Sequence, residues 1–411
     1  MTKNTNIIIV SDVPPDTSYT AGQVLHQAVA GLAEFQFRFY WLNQSRLDTQ
    51  VKLPANCNQV EILSTEYGRT IGFVVRACNY LMRRLPSIAK PLLVIKGAAA
   101  LASLMLKSVK LGWRLRRDPS STIWFVIQGE RLVITSLIAS WIARKPYLLQ
   151  QWDPLSWWMG HRNFPRRFIA IVQRLLSRLE RCALVNIVPS DPWREQLVAQ
   201  KKRAVRLDNL FQQPILNERG FHVLYDPLAL HAVFVGQFYA GDELVRTVST
   251  LAEVVGRNGR ELVIHLFGSS TPLGLDGCQV ISHGHLDRNE LIRRIAKWDL
   301  ALLPYPTTAG HEETARLSFP SKARVYLAAG LPILACAPTF SGVHRFLTQH
   351  YPQHYCNIEV ATDPSGFIKG LLDAKHSARL ARFQEAQLLV NEAFSYTAEL
   401  QPLRNILGAA A

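Results

Sequence analysis

Short apolar segments typical of β-strands alternate with segments of helical periodicity along nearly the whole chain. In the first half, the strand-like segments are residues 6–10, 36–41, 60–63, 123–127, 147–151, 184–188 and 205–208. The helical segments are residues 21–32, 68–84, 88–117, 130–143, 166–181 and 192–201. Strands that alternate with helices in this way form parallel sheets covered by helices on both faces. The pattern therefore predicts a doubly wound α/β fold.

A second α/β series follows residues 210–228, where the periodicity fades and prolines and a glycine appear. Its strand-like segments are 232–235, 262–267, 279–282, 300–303 and 333–336, and its helical segments are 242–256, 288–297 and 321–329. A chain of 411 residues is too long for one ordinary core of about 100–200 residues. We therefore expect a first α/β domain, a linker, a second α/β domain and a C-terminal helix that packs back on the first domain, at 1–210, 211–228, 229–390 and 391–411.

The cysteines and the apolar segments bear on the compartment. Six cysteines lie far apart without a CxxC pair, which favours reduced thiols in the cytoplasm. The amino terminus has an apolar run of four residues before Asp12, whereas a secretory signal needs about 7–15. The best candidate for a membrane span, residues 91–105, is interrupted by Lys96. The sequence therefore predicts neither a signal peptide nor a transmembrane helix.

The net charge of +15 is concentrated in one stretch. Residues 67–117 contain eleven Lys or Arg and no Asp or Glu, interleaved with large apolar residues. Such a pattern predicts a helix pair that lies on an anionic membrane surface, and hence a peripheral protein on the inner face of the cell membrane. Nucleic-acid binding also begins with basic clustering, but no zinc-finger spacing, RNP-like strand or helix-turn-helix accompanies it, so no nucleic-acid partner is expected. A solvated basic helix without a partner stays an alternative.

Five segments of the second half are specific enough to suggest a binding site. They are, in order, FVGQF (234–238), HLFGSS (265–270), VISHGHL (280–286), DLALLPYP (299–306) and SFPSKARVYLAAGLPILA (318–335). Gly236 and Gly268 follow strands, so amide groups there can approach a diphosphate without a Cβ in the way. Lys322 is expected in the first turn of a helix that Ser321 caps, where its ammonium group can face an anion. Plain turns and an exposed helix lysine are the alternatives.

The succession over residues 232–335 resembles the donor-binding domain of bacterial GT-B glycosyltransferases, particularly the family-4-like group and the xanthan-type glucuronosyltransferases of exopolysaccharide synthesis. The amino half matches only by layout. The resemblance implies a GT-B fold, with two facing Rossmann-like domains and a deep cleft, in which residues 1–210 bind the acceptor and residues 229–390 bind the donor. It also implies transfer of sugar from a nucleoside-diphosphate sugar, a UDP-sugar, to a lipid-linked or polysaccharide acceptor. It implies that Lys322 contacts the donor phosphates and that the loop at His283 and Gly284 lies beside the base. The donor-binding residues predicted in this way are Gly236, Gln237, Gly268, Ser269, His283, Gly284, Tyr305, Ser321 and Lys322.

No cofactor and no metal ion are expected. The chain contains no Asp-x-Asp pair, which disfavours a metal-clamped diphosphate. His283 and His285 form a His-x-His pair, a sharper alternative for a metal site, but no carboxylate or cysteine cluster accompanies them. The sequence likewise has no GxSxG elbow, P-loop or GxGxxG, which disfavours hydrolases, NTPases and dehydrogenases.

Two departures from the family pattern weaken a retaining mechanism. Leu317 and Val325 stand where family-4 enzymes usually carry two glutamates, and Gln237 stands where they usually place basic residues. Neutralisation of the phosphates then depends on Lys322, helped by Arg316 or Arg324. The loop residues Glu312 and Glu313 are a second source of contacts to sugar hydroxyls or are simply solvated.

The amino half supplies a candidate for the catalytic base. The segment QQWDPLSWW places Asp153 at the carboxyl end of strand 147–151, where a carboxylate can accept the proton of an acceptor hydroxyl. The catalytic aspartate of xanthan-type enzymes lies at the corresponding strand end, and this resemblance favours an inverting mechanism. An Asp-Pro turn is the alternative. Asp12, Trp152 and Trp157 are the predicted acceptor-binding residues.

Other functions fit the same scaffold. A nucleotide-sugar epimerase or a phosphorylase would need only a different second substrate, and a non-catalytic binding subunit would fit the missing glutamates.

Overall fold

The structure is a computed structural model that describes residues 6–16, 20–42, 52–62, 77–81, 89–207, 226–237, 240–268, 275–307, 310–361 and 363–409. Its first half is built around a parallel sheet of seven strands, in the order β3-β2-β1-β4-β5-β6-β7. The strands are β1 (Asn6–Ser11), β2 (Gln36–Trp41), β3 (Cys57–Ile62), β4 (Thr122–Ile127), β5 (Tyr147–Gln151), β6 (Val185–Val188) and β7 (Ala204–Arg206). The winding direction reverses between β1 and β4, and ligands of doubly wound sheets bind at the carboxyl ends of the strands on either side of such a reversal.

Helices cover this sheet. They are α1 (Thr20–Gly31), α2 (Ala89–Arg117), α3 (Glu130–Ala143), α4 (Leu155–His161), α5 (Arg166–Cys182) and α6 (Asp191–Ala199). The sequence TIWFVI of β4 is buried over its full length, as expected for a parallel strand covered on both faces. The helix α2 packs along α3. No helix in the described ranges has both the length and the apolar character to cross a membrane.

The second half repeats the plan with six parallel strands, in the order β10-β9-β8-β11-β12-β13. The strands are β8 (Ala229–Val235), β9 (Glu261–Phe267), β10 (Gln279–Ser282), β11 (Leu300–Pro304), β12 (Ile333–Cys336) and β13 (Tyr355–Asn357). The helices are α7 (Gly241–Arg257), α8 (Arg288–Ile295), α9 (Glu312–Leu317), α10 (Ser321–Ala328), α11 (Gly342–His350), α12 (Ser365–Leu372), α13 (His376–Ala393) and α14 (Tyr396–Ala409). The winding direction here reverses between β8 and β11.

The chain divides into two units, and their boundary does not follow the order of the sequence. The first unit comprises Met1–Pro189, Arg194–Leu207 and Leu400–Ala411, and the second comprises Ser190–Trp193 and Asp208–Glu399. Within the first unit, Arg404 of α14 donates hydrogen bonds to Glu34 and to the carbonyl of Gly31. The last turns of the chain therefore belong to the unit that its first strand begins.

The predicted doubly wound α/β class is confirmed, while several helices differ from the prediction. Residues 312–317 form α9, so Glu312 and Glu313 lie in the exposed first turn of a helix and not in a loop. The C-terminal helix α14 begins at Tyr396, within the predicted range 391–411, and accommodates Pro402 inside it. The helices α4, α11, α12 and α13 were not predicted.

Two predicted segments lie largely outside the described residues. Within the predicted helix 68–84 only residues 77–81 are described, and they are helical. Of the predicted linker 211–228, only residues 226–228 are described. The domain limits and the deep interdomain cleft stay predictions.

Candidate functional site

Three strand ends of the second sheet carry glycine turns that lie side by side. The strands β8 and β9 pair in register up to Val235 and Phe267, so Gly236 and Gly268, the next residues, are neighbours. The amide of Gly236 donates to the carbonyl of Phe267 over 2.7 Å, and the amide of Gly268 donates to the carbonyl of Gly284 over 3.0 Å. The carboxyl ends of β8, β9 and β10 thus form one continuous edge of main chain.

These turns need glycine for both conformation and space. Gly236, Gly268 and Gly284 have φ angles of 100°, 145° and 69°, which side chains rarely tolerate. A Cβ on Gly268 would lie 2.5 Å from the carbonyl oxygen of Gly236, so any side chain there would separate the two turns. A Cβ on Gly236 would lie 3.8 Å from Cε of Lys322. The bare main chain at Gly236 therefore borders this lysine.

Lys322 lies in the first turn of α10, only 7% exposed. Its Nζ lies 4.3 Å from the centre of the Phe234 ring, in a cation–π contact. Burial lowers the pKa of Lys322 to about 7, because desolvation penalises the charged ammonium form. A negatively charged group beside Gly236 would compensate for that desolvation. The position thus suits an anion-binding lysine, and the alternative of a solvent-exposed helix lysine is wrong.

The other predicted donor-binding residues lie near these turns in different ways. Ser321 is the first residue of α10 and not its cap, because Pro320 occupies the N-cap position without a side-chain hydrogen bond. Tyr305 is buried, and its hydroxyl lies 3.4 Å from each of the carbonyls of Thr314 and Ser318, which gives this side chain a packing role. Gln237 is exposed after Gly236, and residue 269 lies outside the described residues. Their contacts with a donor stay predictions.

Arg324 cannot neutralise a ligand phosphate in this structure. It is buried in α10, with its guanidinium carbon 4.8 Å and 4.7 Å from the ring centres of Phe319 and Phe394. Leu317, where the family pattern has a glutamate, is also buried in the core. Arg316 is exposed in α9. Of the two arginines proposed to help Lys322, only Arg316 has a side chain open to solvent.

Two hydrogen bonds that the sequence did not suggest lie at the carboxyl end of β11. Glu243, in the first turn of α7, accepts hydrogen bonds of 2.7 Å from both the amide and the hydroxyl of Thr307. Burial opposes the charged form, but these hydrogen bonds hold the pKa of Glu243 below its usual value. The carboxylate thereby ties the start of α7 to the segment after β11.

Three histidines form a hydrogen-bonded row across β8, β9 and the end of β10. Nδ1 of His231 lies 2.9 Å from Nε2 of His265, and Nδ1 of His265 lies 2.9 Å from Nε2 of His283. Nε2 of His231 lies 3.3 Å from Oδ2 of Asp226. The ring of His265 stacks on Trp298 with their centres 3.9 Å apart. Of these three histidines, only His283 was among the predicted donor-binding residues.

The row of histidines follows from register. His231 pairs with Val263, two residues before His265, and His265 pairs with Ile281, two residues before His283. Residues two apart on a strand point to the same face, so the three rings lie on one diagonal of one face. Nε2 of His283 is therefore engaged in this row and is not available to a metal ion. The described residues contain no group of three or more His, Cys, Asp or Glu that could hold a metal ion.

In the first unit, three carboxylates follow β1, β4 and β5, which are adjacent in the sheet. They are Asp12, Glu130 and Asp153. Burial raises the pKa of Asp153 to about 6. Burial also raises the pKa of Asp12 to about 7, with Arg162 opposing the rise and Glu130 adding to it. Oε2 of the buried Glu130 has no hydrogen-bond partner among the described residues, which is unusual for a buried carboxylate.

Three tryptophans, Trp152, Trp157 and Trp158, lie in the same segment of the chain as Asp153. Trp157 stacks on His161 with ring centres 5.8 Å apart. Nε1 of Trp152 is buried without a hydrogen-bond partner in the described part of the chain. Trp158, beneath Arg162, packs so closely that a Cβ on Gly129 would lie 2.3 Å from its Nε1. Gly129, Glu130 and Arg162 were not predicted, and glycine directly before a helix after β4 is the one sequence signal that could have indicated them.

Comparisons with known proteins identify the fold. No protein-family model matches the chain, and no curated protein matches it either. Among solved structures, HepE from Anabaena in complex with UDP and glucose matches with a TM-score of 0.59 and 13% identity over 98% of this chain and 100% of that one. Sucrose-phosphate synthase from Thermosynechococcus elongatus matches with 0.62 and 13% over 99% and 100%. A trehalose 6-phosphate synthase from Burkholderia multivorans matches with 0.60 and 11% over 99% and 96%.

The chain has the GT-B fold. The predicted fold is thereby confirmed over nearly the full length, including the amino half, which the sequence matched only by layout. These comparisons do not single out the xanthan-type enzymes among proteins with this fold. Within the GT-B fold, the glycine edge and Lys322 lie in the second unit, and the three carboxylates lie in the first.

Proposed function

We propose that this chain is a glycosyltransferase that moves a sugar from a UDP-sugar to a lipid-linked or saccharide acceptor. The observation that carries the proposal is the edge formed by Gly236, Gly268 and Gly284 beside Lys322. It offers bare main chain, the start of α10 and a buried cation at one place, which suits a nucleoside diphosphate. A similar structure, HepE, has been solved in complex with UDP and with UDP-glucose, which supports a uridine nucleotide.

In this proposal, Lys322 and amide groups of the edge hold the diphosphate and stabilise the charge that develops as it leaves. Such preorganised stabilisation is usually the largest contribution to catalysis. The donor-binding set includes Gln237, Ser269, Tyr305 and Ser321 as predicted neighbours. No metal or cofactor is assigned a step.

Asp153 is the proposed general base. Its carboxylate takes the proton from the acceptor hydroxyl as that oxygen bonds to the anomeric carbon, and the bond from this carbon to the diphosphate breaks. The reaction is then a single inverting displacement, as the resemblance to xanthan-type glucuronosyltransferases suggests. Burial and an elevated pKa are common in catalytic bases, which operate best near the working pH. Asp12, Trp152 and Trp157 are proposed to bind the acceptor, with Glu130 as a further carboxylate for its hydroxyl groups.

The activity test uses transfer from radiolabelled UDP-sugars in the presence of lipid extract or oligosaccharides. Lys322→Ala is expected to weaken donor binding, whereas the matched change of an exposed helix lysine, Lys369→Ala in α12, should have little effect. Asp153→Asn is expected to lower kcat by about 100-fold or more with little change in donor KM. Unchanged turnover in Lys322→Ala and Asp153→Asn would contradict the site. Free sugar, sugar phosphate or an epimerised donor as the only product would favour another enzyme on this scaffold.

An exposed apolar face on α2 supports association with a membrane surface. Leu101, Met105, Val109 and Trp113 follow one another at four-residue intervals and are all exposed, so they lie on one face of the helix. Leu111, on another face, is buried where α2 packs on α3. The helix has no acidic residue, and its second half carries five basic residues: Lys107, Lys110, Arg114, Arg116 and Arg117.

This combination fits an anionic bilayer better than a protein partner. Large apolar side chains enter the interface between headgroups and acyl chains, while Lys and Arg bind anionic lipid headgroups. Part of the predicted stretch 67–117 lies outside the described residues, and the proposal rests on α2. Attachment at the inner face of the cell membrane, close to a lipid-linked acceptor, follows from it as part of the proposal.

Sedimentation with vesicles tests this part separately from catalysis. The protein is expected to bind vesicles that contain phosphatidylglycerol and to leave neutral phosphatidylcholine vesicles unbound, with weaker binding at high salt. The double variant M105E/V109E should release it. Leu388→Glu changes an exposed leucine of the second unit and serves as the control. Binding to RNA or duplex DNA but not to anionic vesicles would contradict the membrane proposal.

A further inference from the structure

The histidine row has a defined direction because one end is a carboxylate. Each N–H···N bond needs one protonated and one bare nitrogen. Hydrogen bonds from the amide of Leu228 and from His231 hold the pKa of Asp226 below its usual value, so it only accepts hydrogen bonds. His231 then carries its proton on Nε2 and accepts on Nδ1 from Nε2 of His265.

The same requirement of one protonated and one bare nitrogen fixes the next hydrogen bond, between His265 and His283. His265 accepts on Nδ1 from Nε2 of His283. With all three rings neutral, the last nitrogen, Nδ1 of His283, carries no hydrogen. This nitrogen belongs to the residue that directly precedes Gly284 of the glycine edge. The row thus fixes the tautomer of a ring at the candidate nucleotide site.

One additional proton on the row changes Nδ1 of His283 from a hydrogen-bond acceptor to a donor, whichever ring holds the charge. If His283 holds the charge, Nδ1 is protonated directly. If His231 holds the charge beside Asp226, both remaining links reverse direction, and Nδ1 of His283 again carries hydrogen. In both arrangements every N–H···N bond is retained, so the row changes its polarity without breaking.

The surroundings disfavour a charge on the central ring and on the ring of His283. Burial, together with His231, His283 and Arg294 of α8, lowers the pKa of His265 to about 3, so the central ring stays uncharged. Burial and Arg294 also lower the pKa of His283. The remaining charged groups beside the row, Asp299 and Arg379, are paired with each other, and Asp299 accepts from the amide of His231.

We propose that Asp226, His231, His265 and His283, the histidine relay, read the base of the bound nucleotide through Nδ1 of His283. Without an extra proton, this nitrogen accepts a hydrogen bond from an N–H group of the base; with one, it donates. The inference rests on the proposed function for the location of the nucleotide, but the tautomers of the relay do not depend on it.

Uracil and cytosine are a matched pair of bases with which to test the hydrogen bond to Nδ1 of His283. N3 of uracil carries a hydrogen, whereas N3 of cytosine is a bare acceptor, and the two bases are nearly the same size. The acceptor state of His283 therefore matches uracil, and the donor state matches cytosine. A mismatched, buried hydrogen-bonding pair costs on the order of tenfold in affinity.

The relay itself is tested by NMR of the full chain labelled with ¹⁵N-histidine. With all three rings neutral, His231, His265 and His283 are expected to carry hydrogen on Nε2 only, and when the row takes up a proton as the pH is lowered, His283 should gain hydrogen on Nδ1. Because an asparagine amide can donate as well as accept, Asp226→Asn should no longer fix the direction of the row and should populate both tautomers of His283. The control is Glu385→Gln, which alters a carboxylate 3.0 Å from another histidine, His354.

Binding of UDP and CDP, measured by calorimetry between pH 5.5 and 8, tests the reading of the base. The preference for UDP over CDP should fall about tenfold as the relay takes up its proton. In His265→Phe, which keeps a ring on Trp298 but removes both nitrogens, the preference should no longer depend on pH. Asp226→Asn gives a second, surface variant should His265→Phe fail to fold.

The outcomes separate the two hypotheses. Hydrogen on Nδ1 of His283 while the row is neutral, or the same tautomers of His283 in Asp226→Asn and Glu385→Gln, would overturn the relay. A preference for UDP that does not change with pH while the tautomer does would overturn the reading of the base. Failure of both nucleotides to bind at any pH would overturn the proposed function, and the NMR result would still decide the relay.

Discussion

At the scale of single residues, the burial of Lys322 makes the affinity for UDP depend on pH. Its pKa is lowered to about 7 by burial in the free protein, whereas a bound diphosphate requires the charged form. Above pH 7 the ammonium group loses its proton in the free protein, so binding of UDP must take one up. We expect the affinity for UDP to fall by up to tenfold per pH unit above about 7.

Calorimetry in buffers of different ionisation enthalpy measures this proton uptake. Lys322→Arg supplies a group that stays charged, so its UDP affinity should not decline in this pH range. Proton uptake that is the same in Lys322→Arg and the original protein would assign the titration to another group.

Asp153 makes a different prediction about pH. Burial raises its pKa to about 6, and a general base acts only when it is ionised. We therefore expect kcat/KM to rise about tenfold per pH unit below 6 and to level off between about 6 and 7, above which deprotonation of Lys322 lowers it again. Asp12→Asn should raise the KM for the acceptor and leave this limb in place. Residual activity of Asp153→Asn that keeps the same limb would exclude Asp153 as the titrating base.

At the scale of elements, the contact of α2 with α3 is set by one glycine. A Cβ on Gly112 would lie 2.7 Å from Cβ of Ile142, a distance that requires one helix to move. Replacing an interior helix glycine by alanine gains about 1 kcal/mol of helix propensity, but overpacking costs about 1–3 kcal/mol. Gly112→Ala should therefore lower the stability of the first unit by about 1 kcal/mol.

Gly97→Ala in the same helix is the matched control, because a Cβ there meets nothing within 4 Å. It should raise stability by up to about 1 kcal/mol. Amide hydrogen exchange of peptides from β4 measures both variants. Equal effects of the two substitutions would mean that α2 does not depend on close contact with α3.

The same scale shows why the sequence predicted strands better than helices. Buried parallel strands such as β4 are short, continuous apolar runs, which are easy to recognise in the sequence. The helix α13 was missed because its buried face includes Arg379 and Arg382, so its apolar periodicity is interrupted. The glycine turns were predictable from their place after strands, but the row from His231 to His283 depends on register between strands that are far apart in sequence.

At the scale of the whole molecule, the last residues stabilise the unit that contains the first. Leu400, Leu403 and Leu407 of α14 are fully buried, and this part of the helix belongs to the first unit, whereas α13 belongs to the second. Replacing a buried leucine by alanine costs about 2–5 kcal/mol. We therefore expect Leu403→Ala to destabilise the first unit by that amount and to leave the second nearly unchanged.

Hydrogen exchange separates the two units, because β1 and β4 report on the first and β8 and β12 on the second. Leu403→Ala should accelerate exchange in β1 and β4 only. Leu388→Ala, at a residue of α13 that is 63% exposed, should change neither by more than about 0.5 kcal/mol. Equal acceleration in all four strands would mean that the units unfold as one cooperative body. Acceleration confined to β8 and β12 would mean that the end of the chain supports the second unit, contrary to its contacts with Glu34 and Gly31.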